Sequence, residues 1–157
     1  MQWTAVPTPI GDLGVAAVDD AVVRVSFDGP RARTTHDPLL DSAADQLRAY
    51  FAGERTAFDL PLAPPGGSAF ERAVWAALAG IPYAEMRTYG EVAAATGDRD
   101  AAHAVGIACN HNPLPIVLPC HRVVGAGGKL VGFGGGLHRK RFLLELEARV
   151  RIEHDFR

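Results

Sequence analysis

Cys120 followed directly by His121 is the pair in this chain best suited to chemistry. A thiol is a nucleophile only as its thiolate, and a neighbouring imidazole can take the proton. Alone, a Cys-His dipeptide carries little weight, because a cysteine among apolar residues is commonly a buried packing residue. The surroundings shift the balance. Asn112-Pro113-Leu114-Pro115-Ile116-Val117-Leu118-Pro119 leads into Cys120-His121-Arg122-Val123-Val124. Three prolines restrict the backbone's approach, so the thiol's direction is set with little entropy left to lose. A cysteine hydrolase built on Cys120 and His121 is one reading, but no oxyanion site is evident for it. The second cysteine, Cys109, lies in a run of small residues and reads as packing. Two cysteines without paired spacing make neither a disulfide framework nor a zinc site.

These residues need elements to hold them. Leu13 to Val18 and Val22 to Phe27 read as strands with a tight turn at Asp19-Asp20. Asp37 can cap a helix, Pro38 suits its first turn, and Leu40, Ala44, Leu47 and Phe51 recur at helical spacing up to Gly53. Phe58 to Leu62 alternates like one more short strand. Ala63-Pro64-Pro65-Gly66-Gly67 can continue neither helix nor ladder and marks a boundary, giving domains over 1–65 and 66–157. Ser68 with Glu71, and Thr88 with Glu91, fit capping boxes that open two helices. Asp98 or Asp100 is placed to start a third through Ala104 and Ala108, and two short helices around Gly97 resemble a helix-turn-helix. Pro113 to Pro119 should run extended, and Val123-Val124 and Leu130-Val131 should flank a hairpin. A last helix is expected from about Leu137 to Val150, with Lys140 and Arg141 on its solvated face.

Composition sets loose bounds. The chain has 157 residues, 48% hydrophobic and 22% charged, as in ordinary globular proteins, and a net charge of -2. Residues 1–65 carry 5 Lys and Arg against 9 Asp and Glu, while residues 66–157 carry 11 against 9. The second half is therefore the better candidate to meet a polyanion. No run approaches a bilayer span and no secretion signal is evident, so a cytoplasmic monomer with reduced thiols is expected.

The stretch around Cys120 resembles the active-site signature of the O6-alkylguanine-DNA alkyltransferases, Pro-Cys-His-Arg-Val. The likeness extends through Phe70 to Trp75, Ile81-Pro82-Tyr83, Thr88 to Glu91, Ala104-Val105-Gly106, Gly132 to Leu137 and Lys140 to Glu147, in the family's order and spacing. The resemblance implies an α+β chain: a small ribonuclease H-like α/β domain, then a mainly helical, winged-helix-like domain with a helix-turn-helix. It implies irreversible transfer of an alkyl group from O6-alkylguanine in double-stranded DNA, with O4-alkylthymine a further substrate, to Cys120, and no cofactor.

Residue by residue, it implies that His121 takes the thiol proton through a water and Glu147 orients His121. Asn112 would hold the turn between the DNA-binding helix and the active site, and Tyr89 would give a proton or hydrogen bond to the leaving guanine. Ala101, Ala102, Ala104 and Gly106 would allow close approach to the minor groove. Pro115, Val131, Phe133 and Gly134 would contact the base, which must be rotated out of the stack. Phe133 stands where the family often has tyrosine. His103 stands where the family usually has an arginine that fills the vacated stack, so weaker holding of flipped guanine is expected. Related damage-binding proteins without the cysteine are the alternative class, and the presence of Cys120 argues against it.

Overall fold

Strands rich in Val and Ala build the first half. In the computed structural model, which describes residues 1–29 and 37–155, β1 (Gln2–Thr8), β2 (Gly11–Val18) and β3 (Ala21–Ser26) form an antiparallel sheet in the order β1-β2-β3. The β2–β3 turn falls at Asp19-Asp20, with Asp19 in the left-handed region. Sequence reading missed β1. It is an edge strand containing Pro7 and burying only Val6 fully, so its apolar alternation is weak. Helix α1 (Pro38–Phe51) starts at Asp37, whose carboxylate accepts from the N–H groups of Leu39 and Leu40. Leu40, Ala44, Leu47 and Tyr50 are buried, as are Leu13, Val15 and Val25 of the sheet. Phe58 to Leu62 is no strand beyond a single bridge between Val22 and Leu62. The Gln46 side chain holds this segment instead, donating to Asp59 O at 2.9 Å and accepting from Asp59 N at 2.8 Å. Pro61 and Pro64 lack the donors a ladder would need.

The chain divides into two compact units, Met1–Pro65 and Gly66–Arg157. In the second, both capping boxes form, opening α2 (Ala69–Ala79) and α3 (Tyr89–Ala95). Gly67 must be glycine: its φ is +83°, and a Cβ there would sit 2.6 Å from the Trp75 ring. Helix α4 (Ala102–Asn110) packs on α2 and α3, and Trp75 Nε1 donates to Ala108 O at 2.9 Å. Neither Asp98 nor Asp100 caps α4. Asp98 accepts from Asp100 N within the preceding turn, and Ala101 stands at the cap with no side-chain acceptor.

Three further expectations in this half are corrected. Pro113 to Pro119 is not extended. It folds back on itself, with Leu118 N donating to Leu114 O at 2.8 Å and Ile116 forced to a φ of 74°. Proline fixes φ but not ψ, and here Asn112 supplies the missing polar partners. Val123–Val124 (β5) pairs in parallel with Arg87–Thr88 (β4) rather than forming a hairpin with Leu130-Val131. The glycine turn is closed by Gly125 N donating to Lys129 O at 2.7 Å and Gly128 N donating to Gly125 O at 3.0 Å. The last helix, α5, runs Leu137–Asp155 and turns Lys140, Leu143, Leu146, Glu147 and Val150 inward. Burial of Lys140 overturns its assignment to a solvated face, whereas Arg141 is exposed.

Candidate active site

Cys120 begins a single 3-10 turn, Cys120–Arg122, which enters β5. The turn is anchored from behind. Asn112 Nδ2 donates to Leu118 O at 2.8 Å, and its Oδ1 accepts from Leu114 N at 2.9 Å. The Cys120 N–H donates to the same Leu118 carbonyl at 2.8 Å. Asn112 also hydrogen-bonds the Cys120 sulfur. One amide thus fastens the end of α4, the folded-back proline segment and the thiol. The sulfur-bearing residue is only 5% exposed. Burial pushes its thiol up to about 11, while the Asn112 hydrogen bond and the positive charge of Lys140 pull the other way. At neutral pH the resting group is a thiol, and a base must draw its proton.

His121 and Glu147 are both fully buried and lie 2.7 Å apart through His121 Nε2 and Glu147 Oε2. Arg122 completes the cluster. Its Nε donates to Glu147 Oε1 at 2.8 Å, its second nitrogen donates to Oε2 at 2.9 Å, and its third donates to Ile81 O at 2.8 Å. Ala84 N adds a further bond to Glu147 at 3.1 Å. Burial works to raise the Glu147 carboxyl, but the hydrogen bonds and charges of His121 and Arg122 hold it at about 2. An ionised carboxylate can only accept, so Nε2 must carry the hydrogen. Burial keeps His121 below its ordinary value against the pull of Glu147. The neutral ring therefore presents Nδ1 as a lone pair, and Nδ1 has no hydrogen-bond partner among the described residues. This is a buried base with its acceptor nitrogen unspent, next in sequence to a thiol.

A cavity of about 390 Å³ opens between α3, α4 and the loop before α5, lined by Tyr89, Ala102, His103, Gly106, Ile107, Asn110, Val131 and Gly132. Its lining is largely apolar. A Cβ on Gly106 would stand 3.8 Å from the Tyr89 ring, in ordinary contact, so Gly106 and Tyr89 face each other across that wall. Cys120 is not on the lining itself, but Tyr89 connects the two. Burial, then the charges of Cys109 and Cys120, push the Tyr89 hydroxyl up to about 12. That hydroxyl donates to Val131 O at 2.8 Å. His103 is exposed on the rim, Ala101, Ala104 and Phe133 are half-buried, and Gly134 is exposed. Pro115 is buried in the folded-back turn and does not line the cavity. Cys109 is buried beneath, its thiol raised to about 12 by burial.

Sequence reasoning missed two participants. Arg122 was legible only as part of a motif, though a charged residue between His121 and two valines leading into a strand is a signal of burial with a partner. Lys140 was misread, although it falls in helical phase with Leu143 and Glu147. His111 pairs with Glu71 at 2.7 Å while remaining largely exposed. Among the described residues no group of three or more His, Cys, Asp or Glu is placed to hold a metal ion.

Residues 69–149 match the family described as 6-O-methylguanine DNA methyltransferase, DNA binding domain, and residues 1–64 match its ribonuclease-like domain. A methylated-DNA--protein-cysteine methyltransferase of Mycobacterium bovis is 46% identical over 153 residues, spanning 94% of this chain and 92% of its own length. One from Methanosarcina acetivorans is 44% identical over 94% of this chain and 98% of its own. The crystal structure of Mycobacterium tuberculosis OGT in complex with DNA superposes with a TM-score of 0.87 at 47% identity, over 96% of this chain and 94% of that one.

Proposed function

Since the chain belongs to the O6-methylguanine DNA methyltransferase family, we propose that it repairs DNA by direct reversal, moving an alkyl group from guanine O6 onto Cys120. The observation that carries this reading is the buried His121–Glu147 pair, its Nδ1 unspent and next in sequence to the Cys120 thiol, with Tyr89 lining an apolar cavity in the same unit. His121 Nδ1 draws the thiol proton through a bridging water. The sulfur lone pair forms the S–C bond at the saturated carbon, the C–O bond breaks, and its electron pair stays with guanine, which gains a proton. One proton leaves the thiol and one joins the base, so charge is conserved. A phenol held near 12 keeps its proton, and Tyr89 supports the leaving guanine as a hydrogen-bond donor once its O–H turns from Val131 O, which Lys140 continues to hold.

The product is a thioether with no carbonyl for water to attack, so each molecule acts once. Helices α3 and α4 form the helix-turn-helix that meets the minor groove, with Ala101, Ala102, Ala104 and Gly106 at the closest approach. His103 stands at the vacated stack, and Val131, Phe133 and Gly134 wall the flipped base. O4-alkylthymine is a second substrate on the same chemistry. The protein works as a cytoplasmic monomer in this reading, in keeping with its free cysteines; no helix among the described residues is long and apolar enough to cross a membrane. The test is to mix the protein with an O6-methylguanine duplex and weigh it intact. One added methyl, mapped to Cys120 and absent in Cys120→Ala, is the expected result. Binding without mass change, or turnover beyond one equivalent, overturns the proposal.

A further inference from the structure

A buried ammonium without a carboxylate beside it is costly to keep, and Lys140 is one. Its side chain is fully buried, and burial pulls its pKa below the ordinary lysine value. Nζ donates to Val123 O at 2.6 Å and to Val131 O and Gly132 O at 3.2 Å each, and it reaches Tyr89 Oη at 3.4 Å. These acceptors come from three separate segments: β5 just after Cys120, the cavity rim, and the start of α3. The titratable groups facing Lys140 are Tyr89 on α3, Cys109 on α4, and Cys120 and His121 on the 3-10 turn. None is a carboxylate. Arg122, the other buried cation nearby, is already paired with Glu147.

Resting on the reading of Cys120 as the alkyl acceptor, we propose that Lys140 is a positioning residue of the transfer: its ammonium ties the cavity rim and the Tyr89 hydroxyl to the strand that follows Cys120, and offers the thiolate a positive charge not committed elsewhere. The geometry serves two ends at once. The rim carbonyls of Val131 and Gly132 and the Tyr89 ring, 5.6 Å from Nζ, are held in one arrangement, so the wall that grips a base is fixed relative to the sulfur. The same ammonium pulls the thiol toward ionisation, and the thiolate in turn supports the protonated lysine.

The test uses Lys140→Met, which keeps volume and removes charge. Three quantities are measured: single-turnover methyl transfer from an O6-methylguanine duplex, the pH midpoint of iodoacetamide reaction at Cys120 followed on its peptide mass, and thermal melting. We expect transfer to slow about tenfold and the Cys120 midpoint to rise by about one pH unit. A purely structural role would lower the melt and leave that midpoint in place. A folded variant with unchanged midpoint and rate overturns the proposal, whereas a wild type that never methylates Cys120 overturns the alkyl-acceptor reading beneath it. Should Lys140→Met fail to fold, lysine side-chain NMR on the wild type and Cys120→Ser decides. Linkage is reciprocal, so the Lys140 midpoint must fall when the thiol is removed; an identical midpoint overturns the proposal.

Discussion

Glu147 offers the sharpest quantitative test, because its charge is set by named neighbours. The carboxyl lies at about 2 in the folded protein against an ordinary 4.5. That gap of ~2.5 units, at about 1.4 kcal/mol per unit, corresponds to ~3–4 kcal/mol of stability linked to one proton. The folded value is depressed, so this stability is fully present above pH 4.5 and is lost as the pH falls through 2. Glu147→Gln should remove that dependence and, by stranding Arg122 without its counter-charge, cost about 3–5 kcal/mol at neutral pH. The assay is urea unfolding followed by Trp75 emission in a Trp3→Phe background, so that Trp75, buried in the second unit, is the reporter. Glu71 is also held below its ordinary value, but it is present in both proteins and cancels in the difference. The wild-type advantage should shrink by ~3 kcal/mol between neutrality and about pH 2. Parallel curves across that window would refute the assignment of this linkage to Glu147.

Two other outcomes follow from the site. Tyr89→Phe should slow transfer by about tenfold or more while melting within about 1.5 kcal/mol of wild type, since Val131 O keeps its bond from Lys140; stopped-flow transfer and melting measure both. His103→Arg, at an exposed rim position, should raise the transfer rate on duplex DNA by about tenfold, the scale of one added charged contact. The same change should leave the rate on single strands unaltered.

What was legible in the sequence was what is local. The caps at Asp37, Ser68 and Thr88 each need only residues two or three positions away, and each forms. Helix α5 was readable because its apolar spacing persists for several turns. The proline segment was not, because its course depends on an Asn112 amide bridging six residues to Leu118. Strand pairing between β4 and β5 joins residues 36 positions apart and carries no periodicity in two-residue strands. In the site, the sequence placed Cys120 beside His121 but could not bring in Glu147 from 26 residues away without the family resemblance. Lys140 shows the opposite error. Charge suggested water, whereas helical phase with Leu143 and Glu147 places it inside.

The Glu147 carboxylate also bears on how such a protein can change over generations. Its two oxygens hold the histidine ring, the Arg122 guanidinium and the Ala84 amide together, and Ala84 itself sits at a φ of 62°. A substitution there would loosen the architecture and disarm the base in the same step. Mutational drift cannot sample weaker or stronger bases at this position while the scaffold stays constant, so variation in reactivity has to arise elsewhere, at the rim and along the wall of the cavity.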